Sequence, residues 1–292
     1  MKQESPIKKV VNNKKRKSIR KSSVSKPKRK GVKHKKRSSS LPDWAFRLLL
    51  VFVALLFIGG FYFFCIRPYA YRWKPCAGLR AYGVCMPVGY PIHGIDVSHY
   101  QENIDWEILQ KCQSPQFPLR FAFIKATEGG DLADSRFAYN FSEARKYGFV
   151  RGAYHFFNPS TPPEKQAAFF IKTVKLESGD LPPVLDVELK GKKDVEHLKA
   201  DVHLWLALVE RHYGVKPILY TSYKFKMKYL SDAVFDKYPY WIAHYYVDSV
   251  RYQGDWHFWQ HTDAGLLPGI TDGVDLNVFN GSFEELQSMT IH

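Results

Sequence analysis

The chain has 292 residues and a formal net charge of +15, but this charge is confined to the first 40 residues. They contain 17 of the 43 Lys and Arg residues and one acidic residue, Glu4, so the other 252 residues carry a net charge of −1. A folded nucleic-acid-binding domain carries its positive charge on the fold itself, which argues against that class. An aromatic content of 16% excludes a mostly disordered chain.

Residues 1–43 are predicted to form a disordered, basic cytoplasmic tail. Runs of Lys and Arg at 14–17 and 35–37 lie among Ser, Asn, Gly and Pro, with almost nothing apolar to bury. Two roles stay open: a solvated segment that only sets membrane orientation, or contact with anionic lipid headgroups. No specific nucleic-acid partner is expected.

Residues 44–66 are predicted to form a single transmembrane helix. The stretch 48–66 has no charged residue and would span about 28 Å, close to the hydrocarbon thickness of a bilayer. The excess of basic residues before it predicts a cytoplasmic N-terminus and an extracytoplasmic remainder, on the periplasmic or cell-wall side of the cytoplasmic membrane. A buried core helix and a cleaved signal peptide are the weaker alternatives.

Residues 67–90, rich in Pro, Gly and Tyr, are predicted to form an extracytoplasmic stalk. An oxidising compartment favours a disulfide between Cys76 and Cys85, and two free thiols are the alternative. Cys112 is predicted to be a small buried hydrophobe. The Cys and His spacing matches no tetrahedral metal site, so no metal is expected.

Residues 91–292 alternate between short apolar runs and helical patterns. The predicted strands are 92–97, 121–125, 150–157, 184–189, 217–221, 240–244, 257–261 and 273–279. The predicted helices are 105–112, 135–147, 163–176, 195–213 and 223–230. This alternation indicates an α/β fold with a parallel sheet, and eight strands favour a closed, TIM-like barrel. The last connections are too short for full helices.

Four acidic residues lie in or at the end of apolar strand segments: Asp96, Asp186, Glu188 and Asp275. Asp186 and Glu188 are two residues apart, so on one strand they face the same side. Catalytic groups collect at the carboxyl ends of parallel barrel strands, and closure brings Asp275 beside Asp96. We expect an apolar setting to keep the proton on Glu188 while Asp186 stays ionised. The alternative is a structural carboxylate cluster bonded to Lys125 or to backbone amides.

Aromatic and amide side chains at the strand ends are candidate sugar-binding residues. Tyr154, Tyr220 and Trp241 could pack against a sugar face, and Gln260 could bind hydroxyl or acetamido groups. Each of them could equally be a barrel-core residue.

Eight segments together resemble glycoside hydrolase family 25, the Chalaropsis-type lysozymes or N-acetylmuramidases, over residues 91–288. They are HGIDVSHYQ (93–101), FAFIKATEG (121–129), RGAYHFF (151–157), PPVLDVE (182–188), ILYTS (218–222), YWIAHY (240–245), WHFWQHT (256–262) and GVDLNVFNG (273–281). The resemblance implies a (β/α)5(β)3 barrel. It also implies cleavage of the β-1,4 bond between N-acetylmuramic acid and N-acetylglucosamine in the glycan strands of peptidoglycan.

By motif match, the resemblance implies Glu188 as general acid, Asp186 as its partner, and Asp96 and Asp275 as the first-strand and last-strand acids. It implies neither a metal nor an organic cofactor. Inversion, and retention assisted by the acetamido group of the substrate, both stay open, and we favour the assisted route. Two other functions stay open: a non-catalytic glycan-binding or scaffold module of the same fold, and a protein acting through its basic tail on anionic lipid or nucleic acid.

Overall fold

A computed structural model describes residues 42–67, 76 and 78–292 of the chain. The predicted basic tail, apart from its last two residues, and residues 68–75 and 77 of the predicted stalk lie outside the described residues. The chain divides into two units, Met1–Cys65 and Ile66–His292.

The described part of the first unit is a long apolar helix. Helix α1 (Asp43–Phe61) continues as a π-helical turn over Tyr62–Ile66. Its mean hydropathy is 2.7, and none of its most apolar stretch is buried within the protein. Within the described residues, it is the one helix long and apolar enough to cross a membrane. The helix predicted for 44–66 is therefore confirmed. Its length and apolar composition fit both a membrane anchor and a signal sequence.

The second unit contains the remaining strands and helices. Its strands are β1 (Arg80–Ala81), β2 (Val84–Cys85), β3 (Ile92–Val97), β4 (Leu119–Glu128), β5 (Leu132–Ala133), β6 (Val150–Phe156), β7 (Val184–Asp186), β8 (Ile218–Ser222), β9 (Tyr240–Ala243), β10 (Phe258–Gly265) and β11 (Val274–Phe279). Its α-helices are α2 (Trp106–Lys111), α3 (Phe137–Lys146), α4 (Pro163–Thr173), α5 (Val195–Tyr213), α6 (Tyr223–Tyr229), α7 (Ala233–Asp236) and α8 (Phe283–Ser288). A short 3-10 turn covers His99–Gln101.

Eight of these strands form a closed barrel, as the sequence predicts. Strands β3, β4, β6, β7, β8, β9 and β10 lie parallel in that order, and β11 closes the barrel between β10 and β3. Each of the first five connections contains at least one helix. The last two, 244–257 and 266–273, contain none, and every residue in both is described.

Strand β11 corrects the expectation of an all-parallel sheet, because it is antiparallel to both of its neighbours. The connection from β10 covers only residues 266–273. A parallel return needs a crossover of about a dozen residues or more, so a connection this short returns antiparallel.

Large rings fill the barrel below its rim. Phe123 stacks on Trp241 with ring centroids 4.4 Å apart, and Phe258 packs edge-on against Phe123. Two glycines make room for this layer, since a Cβ atom at Gly94 or Gly152 would come within about 2.6 Å of the rings of Phe121 and Phe123. This aromatic layer fills the barrel interior below the polar side chains of the rim.

Residues 78–90 fold against the barrel, so for these residues the structure differs from the predicted stalk. Strands β1 and β2 pair as an antiparallel hairpin. The Tyr82 hydroxyl donates to the Phe117 carbonyl at 2.7 Å, and Met86 is buried in the main core. Tyr90 contacts the rings of Trp256 and Trp259. The hairpin thus packs against β10. The connection that follows β10, residues 266–273, contains no helix.

The cysteine predictions have mixed outcomes. The Cys76–Cys85 disulfide is present, with the two Cα atoms 5.5 Å apart. Cys112 is a free and exposed thiol, so the prediction of a buried residue is wrong. It follows the last residue of α2, where the end of the helix faces solvent.

Candidate active site

Three of the predicted acids lie in the polar layer at the carboxyl ends of the parallel strands. Asp96 is next to last in β3, and it lies opposite Asp275 of β11 in the register of the sheet. Asp186 is the last residue of β7 and pairs in register with Tyr220 of β8. These three acids therefore lie at one rim of the barrel, as the sequence predicts. Glu188 follows two residues after the end of β7.

Two buried amides bind the Asp96–Asp275 pair. Gln260 Nε2 donates to Asp96 Oδ2 at 2.8 Å and to Asp275 Oδ2 at 3.0 Å. Asn277 Nδ2 donates to the same Asp96 oxygen at 2.7 Å. Asp96 accepts both hydrogen bonds on one oxygen, and these bonds favour its ionised form.

Aromatic side chains orient these amides in turn. Gln260 Oε1 accepts from the hydroxyl groups of Tyr220 and Tyr245, at 2.7 and 2.6 Å. Trp241 Nε1 donates to Asn277 Oδ1 at 2.8 Å. Since each carbonyl oxygen is occupied, the NH2 group of each amide is directed at the carboxylates.

The Asp96–Asp275 pair holds one proton near neutral pH. Burial raises the pKa of Asp96 to about 6, against the opposing effect of its hydrogen bonds with Asn277 and Gln260. Burial, and then the neighbouring Asp96 charge, raise the pKa of Asp275 to about 9. The pair therefore favours holding one proton near neutral pH, with Asp96 as its more acidic member.

Asp186, the last residue of β7, is more deeply buried than Glu188. It is 7% exposed, and its Oδ1 atom has no hydrogen-bond partner among the described residues. Burial, followed by the charges of Glu188 and Asp96, raises the pKa of Asp186 well above its usual range. The free protein thus favours the neutral acid at Asp186.

Glu188 corrects the expectation that an apolar pocket holds its proton. It is exposed, whereas Asp186 is buried, so the environments of the two residues are the reverse of those predicted. The cause is the length of β7, which ends at Asp186 and not at Leu189. Beyond that point the chain leaves the sheet, and the alternation of strand side chains no longer applies. Glu188 still faces the acids, since its charge contributes to the raised pKa values of Asp186 and Asp96.

Lys125 does not form the predicted ion pair with this cluster. Its Nζ atom donates to Glu128 Oε2 at 2.7 Å and lies 4.9 Å from the centre of the Phe156 ring. The charge of Lys125 only partly opposes the raised pKa of Asp186. Among the described residues, Lys125 therefore does not neutralise the carboxyl cluster as the structural alternative requires.

The predicted sugar-binding side chains divide into two groups. Trp241, Gln260 and Tyr220 are only 2%, 2% and 5% exposed, and their polar atoms are hydrogen-bonded within the barrel. The prediction that Trp241 contacts the substrate is therefore corrected. The Trp241 ring lies in the core, where its Nε1 atom binds Asn277. Tyr154 is half-buried at the rim, and the charges of Asp96 and Asp186 add to burial in raising its pKa.

The sequence reasoning assigns no role to Asn277, although a signal exists. Asn277 is two residues after Asp275 on β11, so the two side chains share one face of the strand. Tyr245, which binds Gln260, follows the end of β9 and is equally unassigned. Among the described residues, no group of three or more His, Cys, Asp or Glu side chains is arranged to hold a metal ion.

A barrel rim that combines neutral and ionised carboxyl groups has the chemistry of a glycosidase, in which one carboxyl group donates a proton and another stabilises positive charge. The comparisons agree with this class. A family model described as "Glycosyl hydrolases family 25" matches residues 95–270. The chain therefore belongs to glycoside hydrolase family 25, whose lysozymes and muramidases degrade peptidoglycan, and it is a glycoside hydrolase.

Three similar proteins illustrate the relationship. "Uncharacterized protein YegX" of Escherichia coli K12 is 45% identical over 219 residues, which cover 75% of this chain and 79% of that protein. "Lysozyme M1" of Streptomyces globisporus is 31% identical, over 68% of this chain and 71% of that protein. A family 25 glycosyl hydrolase from Bacillus anthracis has a solved structure with a TM-score of 0.64 and 36% identity, over 70% of this chain and 96% of that one.

Proposed function

We propose that this chain is a membrane-anchored muramidase that hydrolyses the β-1,4 bond between N-acetylmuramic acid and N-acetylglucosamine. The observation that carries the proposal is the grouping of Asp96, Asp186, Asp275 and Glu188 at one rim of a family 25 barrel. The order of helices and strands supports the finer (β/α)5(β)3 description of that barrel. No metal or organic cofactor is needed for this chemistry.

Glu188 is the proposed general acid. Its exposed position lets a glycan strand that enters from solvent bring the glycosidic oxygen to the carboxyl group. A bound sugar removes Glu188 from water, and the resulting desolvation favours its neutral form. In the first step the acetamido oxygen of the substrate attacks the anomeric carbon, the glycosidic C–O bond breaks, and the Glu188 proton goes to the leaving oxygen.

Asp186 is the proposed partner that orients the acetamido group and stabilises the positive charge developing on it. The acetamido N–H, once bound, donates to Asp186 and favours its ionised form, which releases the proton that the buried residue holds in the free protein. We assign the movement of this proton toward Glu188 to substrate binding. In the second step Glu188 takes a proton from the water that attacks the anomeric carbon, the bond between that carbon and the acetamido oxygen breaks, and the acetamido group is restored.

Asp96 and Asp275 are the proposed supports of this pair. The ionised Asp96, held by Gln260 and Asn277, supplies a negative charge that helps to stabilise the cationic transition state. Tyr154, half-buried at the rim, is the remaining proposed sugar contact among the aromatic residues.

The proposed location is the cytoplasmic membrane, with α1 as the anchor, the N-terminus in the cytoplasm and the barrel outside. The apolar length of α1 and the 17 basic residues of 1–40 support this orientation. The disulfide in the second unit is typical of an oxidising compartment. The basic segment 1–40 would then lie where anionic lipid headgroups can bind it.

The function is tested by the lysis of purified peptidoglycan by the full chain in detergent, followed as loss of turbidity. Glu188→Gln keeps the size of the side chain but cannot donate the proton, so the lysis rate should fall by at least about 100-fold. Glu284→Gln, an exposed change at the start of α8, is the matched control and should lyse normally. Near-normal lysis by Glu188→Gln would contradict the acid assignment, and an inactive wild-type chain would contradict the function.

A further inference from the structure

The space bordered by the rim acids Asp96, Asp186, Glu188 and Asp275 is called the bowl here. A cavity lies outside this bowl, between the disulfide hairpin and the outer side of β10. Its volume is about 590 Å³. The residues that matter for its chemistry are Arg80, Val84, Asp248, His261, Asp263 and Leu266. Neighbouring residues of β10 point to opposite sides of the strand, so Gln260 faces the bowl while His261 faces this cavity.

The cavity adjoins the bowl across the end of β10 and the start of β11. Gly273 lines the cavity, and its carbonyl accepts from Gln101 Nε2 at 3.1 Å. Asp275 of the bowl is only two residues further along the chain. The charge of Asp263, on the cavity side, also contributes to the raised pKa of Asp275. A branch on a glycan held in the bowl could therefore cross the rim into this cavity.

The lining of the cavity combines both signs of charge with an apolar wall. Arg80 supplies a cation, Asp248 and Asp263 supply anions, and Val84 and Leu266 supply apolar surface. The Tyr246 hydroxyl donates to Asp263 and so fixes that carboxylate. A sugar subsite is typically built on flat aromatic faces, whereas mixed charges on an apolar wall suit a peptide that carries both ammonium and carboxylate groups.

A buried histidine also lies in the wall of the cavity. His261 is 5% exposed, and its Nε2 atom has no hydrogen-bond partner in the described part of the chain. Burial holds its pKa at about 3, so the imidazole is neutral near pH 7. A neutral imidazole adds no charge to this wall, so the charges of the cavity are those of Arg80, Asp248 and Asp263.

We propose that this cavity binds the peptide stem of the peptidoglycan strand whose glycan lies in the bowl. The ammonium group of the stem's diamino acid binds at Asp248 and Asp263, and a stem carboxylate binds at Arg80. Four extended residues span roughly 13 Å, which is enough to cross a barrel rim. The hairpin strands β1 and β2, which lie outside the family-matched residues 95–270, form one wall of this cavity. This inference rests on the proposed function.

The test compares full-length wild type, Asp248→Lys and Asp255→Lys in detergent. Asp255 is an exposed acid of the same 244–257 connection that does not line the cavity, so it is the matched control. Each protein is assayed on peptidoglycan that carries its stems and on glycan from the same wall after an amidase has removed them. Asp248→Lys should raise KM on the stem-bearing wall by about tenfold and leave the stripped glycan unaffected. Asp255→Lys should change neither value.

A change in the substrate gives the complementary result. Acetylating the stem amines removes the ammonium charge, so wild type should lose affinity for the acetylated wall as Asp248→Lys does for the native wall. The isolated stem peptide, released by the amidase, should also bind wild type in a calorimetric titration and bind Asp248→Lys more weakly. Unchanged activity of Asp248→Lys on stripped glycan shows that the variant is folded.

The contradicting outcomes differ from a failure of the proposed function. An equal loss by Asp248→Lys on both substrates would assign the cavity to the glycan and overturn the peptide proposal. An unchanged KM on the stem-bearing wall would remove the cavity from substrate recognition. A wild-type chain inactive on both substrates would instead contradict the muramidase function, and the titration with isolated stem peptide would still decide the peptide site.

Discussion

The rim carboxyl groups differ in protonation because each meets a different balance of burial and hydrogen bonding. Asp96 is buried yet accepts from two amides, so its pKa rises only to about 6. Asp275 is raised further, to about 9, because it lies beside the Asp96 charge. Gln260 donates to both acids, whereas Asn277 donates to Asp96, so the Asn277 amide favours ionisation of Asp96.

Asn277→Leu should shift the pH profile of lysis toward higher pH. Asn277 donates to the charged form of Asp96 and so lowers its pKa, which means that removal of the amide raises that pKa. If activity needs ionised Asp96, the acidic limb should move from near pH 6 upward by about one unit, the equivalent of ~1.4 kcal/mol. The measurement is kcat/KM for peptidoglycan between pH 4 and 8.

A buried asparagine outside the rim offers a matched control for this variant. Asn140 Oδ1 accepts from Trp106 Nε1 at 3.1 Å, just as Asn277 accepts from Trp241, but none of the rim acids is its partner. Asn140→Leu should lower the melting temperature without moving the acidic limb. An acidic limb that stays in place for Asn277→Leu would contradict the role given to this amide.

At the residue scale, the sequence predicts where the acids lie but not their protonation. Asp96, Asp186 and Asp275 interrupt apolar strand segments, which is enough to place them at the rim. The predicted environments of Asp186 and Glu188 are reversed because β7 ends three residues earlier than predicted. Apolar neighbours in sequence show that a strand is buried, but they do not show where the chain leaves it.

Among the secondary-structure elements, the disulfide hairpin depends most on contacts distant in sequence. Its Tyr82 backbone carbonyl accepts from the Leu266 backbone N–H at 2.8 Å, and its Tyr90 ring packs on Trp256 and Trp259. Two strands of two residues each are too short to be stable alone. The hairpin is therefore held by its packing on the barrel and by the Cys76–Cys85 bond.

Replacing both bridging cysteines by serine should lower the free energy of unfolding by about 2–3 kcal/mol. A disulfide closes a loop in the unfolded chain, and this estimate applies to a loop of about ten residues. Thermal unfolding of the full chain in detergent, followed by near-ultraviolet circular dichroism, measures the change. Cys112→Ser, which removes an exposed free thiol, is the control and should be neutral. Equal melting temperatures for the double variant and wild type would contradict a structural role for this bond.

At the scale of elements, regular patterns are predictable and exceptions arise from tertiary contacts. Strand β3 matches its predicted bounds, and α5 does too, because Asp194 caps its first turn and Gly214, with φ of +72°, ends it. The direction of β11 follows from the length of its connection, which an apolar pattern does not reveal. The hairpin is missed because Gly, Pro and Tyr are typical of linkers as well as of turns.

At the scale of the whole molecule, a long apolar helix and a large hydrolase unit share one chain. The charge asymmetry lies entirely on the N-terminal side of that helix, whereas the remainder is nearly neutral. A wall hydrolase acts where peptidoglycan is, so the orientation of α1 decides whether the enzyme meets its substrate. Sequence alone predicts this division, since both signals are local: a hydropathy stretch and a count of basic residues.

Cys112 provides a direct test of the orientation. In a Cys65→Ser chain, Cys112 is the one free thiol, and it is exposed on the barrel unit. A membrane-impermeant maleimide should label it in intact spheroplasts, because the barrel is expected outside the membrane. The Cys65→Ser/Cys112→Ser chain should stay unlabelled. Labelling that requires permeabilised cells would reverse the proposed orientation.

The central claim is that the rim acids of this barrel cleave one particular bond of the wall. Its most direct measurement is mass analysis of fragments released from purified peptidoglycan by the full chain, after borohydride reduction marks each new reducing end. The account predicts reduced N-acetylmuramic acid at those ends, and their absence with Glu188→Gln. Reduced N-acetylglucosamine at the new ends would contradict it.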